Sequence, residues 1–234
     1  GPKSRRVLQN LGCDIDLEAS SFPFMTVRKA QLGGWAVQIF RVSFSGELAF
    51  EINIDSRFAL AMWEKVMSAG EEFGITPYGT ESMHVLRAEK GFVIVGQETD
   101  GSVTPMDLKM NWLLAKDKDF LGKRSLARPD SARPDRKQLV GLLSADEQTV
   151  LQEGMQLLLD EPPGSVSSPV PMAGHVTSAY HSSFLGHPIA LSLLEAGHKR
   201  SGETVYARAS DGTTVPVTVG SSVFVDPKGE RQNV

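Results

Sequence analysis

Apolar positions along this 234-residue chain change period several times, and each change predicts an element. Val7, Leu8 and Leu11 recur at helical spacing and predict a short amphipathic helix over 4–11, with Pro2 at its entry. The period then falls to two. Ala36 to Val42 and Leu48 to Ile54 read as β-rich runs joined through Ser45-Gly46-Glu47, which suits an antiparallel hairpin. Asp55 or Ser56 is placed to cap a helix in which Phe58, Met62, Trp63 and Val66 share one face, ending near Gly70 to Gly74. Thr76-Pro77-Tyr78-Gly79 predicts a turn, and Thr80 to Lys90 a second helix stopped by Gly91. Phe92 to Val95 reads as a short buried strand, 101–105 as loop, and Asp107 to Leu114 as renewed apolar structure.

Charge, Pro and Ser replace the apolar pattern from Ala127 to Asp135, which predicts a linker. Beyond it, strand-like runs recur between turn signals at 139–143, 155–159, 175–177, 189–194, 204–209, 215–219 and 223–225. That spacing suits a small antiparallel barrel or sandwich. The chain contains no internal repeat, and its one biased stretch is the Gly/Ser/Pro loop near Pro162 to Pro171.

Charge and cysteine content narrow the function classes. The formal net charge is −4, so no positive field favours nucleic acid or anionic lipid, and the basic stretches at 3–6 and 124–137 read as solvated surface. Cys13 is the only cysteine, which rules out an internal disulfide and makes a reducing compartment, the cytoplasm, the expected location. No apolar run is long enough to span a bilayer. No two of His175, His181, His187 and His198 fall at a metal-ligand spacing, so no metal is expected. Neither a dinucleotide-binding glycine pattern nor a nucleophile elbow occurs.

The candidate chemistry lies in Arg41-Val42-Ser43-Phe44-Ser45-Gly46-Glu47-Leu48-Ala49-Phe50-Glu51-Ile52. Glu51 stands between Phe50 and Ile52. It either points outward by simple alternation or is buried to meet a specific donor. Phe44, seven residues earlier, is either hydrophobic core or a ring for stacking on a flat heterocycle. Arg87 falls on an apolar helix face near Met83 and Leu86, where burial against a carboxylate such as Glu89, Glu51 or Glu47 is expected, in a structural role. His84 on the same helix reads as a packed or surface residue.

This segment resembles the Gly-Glu-x-Gly-Tyr-Glu-Ile stretch of the folate-binding aminomethyltransferase family, also called the glycine-cleavage T-protein family. Leu86-Arg87-Ala88-Glu89-Lys90-Gly91, Val103-Thr104-Pro105, Phe120-Leu121-Gly122-Lys123 and Gly174-His175-Val176-Thr177 are similar to further landmarks of that family in the same order. Within it, Gly79 to Phe92, Val95 to Gly101 and the ending Val223 to Arg231 most resemble the alpha-subunit branch of heterotetrameric sarcosine oxidases. The resemblance implies that Glu51 is buried and accepts paired hydrogen bonds from the amino-pyrimidine edge of a pterin, with Phe44 beside it. It also makes Met83 and Arg87 pocket residues. Met83 stands where T-proteins carry the Arg of an Ala-Arg-Asp motif, so the cation for the glutamyl tail of the cofactor is expected elsewhere. The family's N-terminal segment, with its catalytic Asp, would precede Gly1, and the chain looks cut from something longer; no catalytic residue is assigned.

The expected architecture is therefore α+β, with part of an aminomethyltransferase-like folate-binding domain over 1–127 and a small antiparallel β-barrel over 136–234. The resemblance implies tetrahydrofolate as cofactor and other subunits of a hetero-oligomeric sarcosine oxidase as partners. FAD, FMN and NAD are expected only in other parts of that enzyme. A glycine-cleavage aminomethyltransferase, a dimethylglycine-oxidising relative and a non-catalytic assembly module are the alternatives.

Overall fold

A computed structural model describes residues 1–163 and 170–234, so the Gly/Ser/Pro loop expected near Pro162 to Pro171 lies largely outside the described residues. Contacts group the chain into two compact units, one formed by 1–87 with 226–234 and the other by 88–225. Helix and sheet are mixed, as expected. No helix of the described residues is long and apolar enough to cross a membrane.

In the first unit, α1 (Ser4–Asn10) precedes a three-stranded antiparallel sheet of β1 (Val27–Leu32), β2 (Trp35–Phe40) and β3 (Glu51–Asn53), with β2 central. The tight hairpin joins β1 to β2, not the two runs expected. Gly33 and Gly34 have φ of 59° and 96°, the left-handed pair that a two-residue turn matched to strand twist requires. Ser45-Gly46-Glu47 lies instead inside a ten-residue connection, 41–50, that carries the chain from β2 to the sheet edge. The strands alternate. Ala30, Leu32, Val37 and Ile39 are buried with Leu8, Leu17, Phe22 and Met62, the last from α2 (Ala59–Gly70), while the intervening residues face away. Asp55 caps the short 3-10 turn ahead of α2 by accepting a hydrogen bond from the Arg57 amide, satisfying one of its unpaired donors. After a turn, α3 spans Thr80–Glu89.

The second unit is a closed six-stranded antiparallel barrel. Its strands are β4 (Lys137–Ser144), β5 (Gln156–Leu158), β6 (Gly174–Ser182), β7 (His187–Glu195), β8 (Thr204–Arg208) and β9 (Thr214–Gly220), in the order β4-β7-β6-β5-β8-β9. Closure leaves no unpaired strand edge. Val140, Leu142, Leu157, Val176, Leu194, Val205, Val217 and Val219 fill the interior. A second cluster of Leu139, Ile189, Leu191, Leu193 and Ala88 covers the other face of β4 and β7. Burial on both faces explains why these two strands read as continuous apolar runs without alternation.

Two expected strands are absent. Val95 is exposed and forms only an isolated bridge to Thr99, so 92–95 is irregular chain without a strand to pair with. Residues 223–225 are irregular, with the amides of Phe224 and Val225 both donating to the Glu89 carbonyl in place of a strand partner. The irregular stretch before β4 is fixed by a buried ion pair. Arg136 Nη2 lies 2.9 Å from Asp107 Oδ2, and Arg136 also donates to Asp130 and to the Ser102 carbonyl. The Thr104 amide and hydroxyl each donate to Asp107 at 2.8 Å.

Removing one partner of such a pair strands the other in a low-dielectric setting, so Asp107→Ala is expected to lower stability by about 3–5 kcal/mol. Urea unfolding of the variant beside wild type checks this; an unchanged midpoint would show that the pair holds nothing in place.

Candidate functional site

The candidate site is built on the connection from β2 to β3. Arg41 opens it and is fully buried, at 1 % exposure. Its guanidinium donates to the Ala49 carbonyl at 3.3 Å and to the Gln232 carbonyl, and it lies 5.2 Å from the Phe50 ring centroid and 5.9 Å from that of Phe24. One group therefore ties both ends of the loop, the following aromatic residue and the 226–234 segment together. Burial, and secondarily the charge of Arg5, push its pKa down, yet an arginine remains a cation at neutral pH. Its Nε has no hydrogen-bond partner among the described residues.

The loop presents Phe44, which is 48 % exposed and whose ring meets His84 of α3 edge-on at 6.5 Å and 82°. Glu47, also on the loop, pairs with Arg231 at 3.3 Å. Met83 is half-buried beside His84, and Arg87, one helical turn further, is 1 % exposed. The structure thus brings Phe44 to α3, and Arg87 is buried as its helix face implied.

Glu51 departs from the buried position expected of it. It is exposed, at the start of the edge strand β3, with Oε1 accepting a 3.1 Å hydrogen bond from Asn53 Nδ2. Alternation decides the matter: Phe50 and Ile52 pack against the core, and Glu51 faces the other way. The register places it in a row with Phe40 and Val27, next to the row Asn53, Gln38 and Lys29. That face borders an open cleft of about 630 Å³ whose lining includes Lys29, Gln31, Gln38, Asn53, Asp14 and Asp55. On the core side of β3, Phe50 and Ile52 line a second, mostly apolar cleft of about 670 Å³ with Trp63, Phe73 and Tyr78. An exposed carboxylate held by a neighbouring amide on a polar sheet face can accept two parallel hydrogen bonds from a flat amidine-like edge. No group of three or more His, Cys, Asp or Glu side chains among the described residues is placed to hold a metal ion.

Comparison with known proteins places this architecture. A family model described as "GCVT N-terminal domain" matches residues 1–118, half of the chain, and one described as "Glycine cleavage T-protein C-terminal barrel domain" matches 137–226. The chain belongs to the glycine cleavage T-protein family. Among T-protein relatives, the sarcosine oxidase subunit alpha of Corynebacterium sp. (strain U-96) is 48% identical over 234 residues, which is 100% of this chain and 24% of the relative. The corresponding subunit of Rhizobium meliloti (strain 1021) is 37% identical over 238 residues with the same coverage. The aminomethyltransferase of Deinococcus deserti is 34% identical over 197 residues, 84% of this chain and 48% of the relative. The chain thus spans about a quarter of the oxidase subunits and about half of the transferase. The crystal structure of glycine cleavage system aminomethyltransferase T from Bartonella henselae shares the fold, with a TM-score of 0.76 at 24% identity over 94% of this chain and 56% of that one.

Sequence reasoning missed Arg41 and the Lys29–Gln38–Asn53 row. A signal for each was present: an arginine closing the apolar run Ala36 to Phe40, and a Gly-Gly pair flanked by alternating residues that marks the β1–β2 hairpin. Replacing Arg41 with Met keeps volume but leaves two carbonyl acceptors without their donor. Arg41→Met is expected to cost about 2–4 kcal/mol and to loosen the loop that carries Phe44. Denaturant unfolding, with hydrogen exchange over 41–50, measures both; unchanged protection of the loop would remove Arg41 from this role.

Proposed function

We propose that this chain is the tetrahydrofolate-holding part of a sarcosine oxidase alpha subunit. The observation that carries the reading is the exposed Glu51 carboxylate, held by Asn53 on the open sheet face next to the loop that presents Phe44. The 48% identity to Corynebacterium sarcosine oxidase alpha subunits over the whole chain supports it. Glu51 would accept from the pterin ring N–H and amino group, and charged acceptors make such paired bonds strong. Phe44 would lay its ring against the heterocycle, with Met83 and Arg87 contributing from α3. When bound, tetrahydrofolate supplies the nucleophilic nitrogens that take up the one-carbon unit released by oxidation of sarcosine, giving 5,10-methylenetetrahydrofolate. Binding near the source of that unit replaces a bimolecular encounter with a local one.

In this reading the oxidation, with FAD, FMN and NAD, belongs to other parts of the whole enzyme, and the remaining subunits are the partners. We take 1–127 as the aminomethyltransferase-like domain and 136–234 as the barrel domain, a division supported by the two family matches. A glycine-cleavage aminomethyltransferase is the second reading, favoured by the 34% identity to the Deinococcus enzyme over 84% of this chain.

Calorimetric titration of 5-formyltetrahydrofolate into wild type and Glu51→Ala tests the site. Two charged hydrogen bonds at about 1.5 kcal/mol or more each predict at least about a hundred-fold loss of affinity in the variant. Equal affinity would remove Glu51 as the anchor, and no binding to folded wild type would sink the folate reading.

A further inference from the structure

The polar face of the three-stranded sheet holds one charged side chain that the fold does not use. Lys29 is exposed on β1, lines the open cleft, and has no hydrogen bond or ion pair with any described residue. The neighbouring charges are spoken for. Asp14 accepts the Gln31 amide at 2.7 Å, and Asp55 is taken up by the Arg57 guanidinium at 2.9 and 3.0 Å, contacts that hold the Asp55 carboxyl below its ordinary range. The Arg28 guanidinium lies over the Phe22 ring at 5.5 Å.

We infer that Lys29 is the cation that receives the acidic tail of the ligand whose heterocycle Glu51 anchors; this rests on the folate reading given above. The strand register supplies the geometry. Lys29 is opposite Gln38, which is opposite Asn53, and the adjacent row on the same face is Val27, Phe40 and Glu51. Glu51 and Lys29 therefore stand at opposite corners of this patch, two strands and one two-residue step apart. Inter-strand and along-strand spacings put their Cα positions about 12 Å apart. A long lysine side chain extends that span further outward.

The surface between the corners changes character in the order such a ligand requires. Glu51 and Asn53 present a carboxylate and an amide at one end. Half-buried Phe40, beside Glu51 on the central strand, offers an apolar surface for an aromatic ring, with Val27, 45 % exposed, at the corner on the Lys29 strand. Gln38 and then Lys29 follow, an amide and a cation for a peptide-like linkage ending in carboxylates. An elongated molecule with an amino-heterocyclic head, an aromatic spacer and a glutamyl tail matches this sequence of donors and acceptors. A compact anion would engage only the Lys29 end.

The test uses the full chain and two probes, 5-formyltetrahydrofolate and the same molecule lacking its glutamate, titrated into wild type, Lys29→Gln and Lys29→Arg at low and high salt. A solvent-exposed lysine–carboxylate pair is worth up to about a five-fold change in affinity. Lys29→Gln is expected to weaken the glutamate-bearing probe by about three- to five-fold at low salt and less at high salt, because exposed pairs are screened. The des-glutamyl probe should bind wild type and Lys29→Gln alike, and Lys29→Arg should restore the preference for the glutamate. Equal weakening of both probes, or no weakening of either, overturns the assignment of Lys29 while leaving folate binding intact. Failure of both probes to bind folded wild type overturns the folate reading and this inference with it.

Discussion

The geometry of the candidate site depends on one buried cation, Arg41. A ten-residue connection between neighbouring strands has many conformations available, and ordering it costs roughly 1–2 kcal/mol of backbone entropy per residue. Arg41 offsets part of that cost by contacting three separate pieces of chain at once, with hydrogen bonds to the Ala49 and Gln232 carbonyls and ring contacts to Phe50 and Phe24. A guanidinium suits the task because its donors are fixed in a plane whose faces remain free for aromatic packing. With Phe50 held against the core, alternation leaves Glu51 no direction but outward. The exposure of the candidate anchor follows from the burial of its neighbours.

The barrel unit solves a similar problem by other means. Its strands close on themselves into a six-stranded ring. The irregular stretch before β4 is held by Asp107 and Arg136: Asp107 also accepts hydrogen bonds from Thr104, and Arg136 also donates to the Ser102 carbonyl and to Asp130, so that neither charge is buried without compensation. The Leu139 amide donates to the Asp107 carbonyl at 2.8 Å, which carries the anchoring directly into β4. Both units therefore use a buried arginine to order irregular chain next to a regular sheet.

Much of this was legible in the sequence. Helical spacing located α1, α2 and α3, and the apolar runs after residue 136 mark the barrel strands because each is short and bounded by turn residues. What was not legible came from long-range choices. The Ser45-Gly46-Glu47 turn signal was real, with Gly46 at φ 73°, but the partner of β2 that needs a tight turn is β1. The run 92–95 has strand composition and no strand to pair with, a fact that only the fold decides. Glu51 was singled out by its motif, yet the motif alone could not say which side of the sheet it faces. That required knowing that both Phe50 and Ile52 belong to the core. Lys29 carried no signal at all until the register set it on the same face as Glu51.

Exposure of Glu51 sets a condition on any ligand that uses it. A carboxylate in water already has hydrogen-bonded partners, so exchanging them for a ligand's donors gains little unless water is excluded at the same time. The loop and sheet supply surfaces for that exclusion. Phe44 on the loop is half exposed with its edge against His84, and Phe40 lies beside Glu51 across the strand pair. A flat ring seated against these side chains would remove solvent from the carboxylate while satisfying its oxygens, strengthening both interactions together. A small donor such as an ammonium ion would leave the aromatic surfaces wet and gain neither. In the proposed site this arrangement would favour planar ligands with adjacent donors on one edge, through the aromatic residues as much as through the charge.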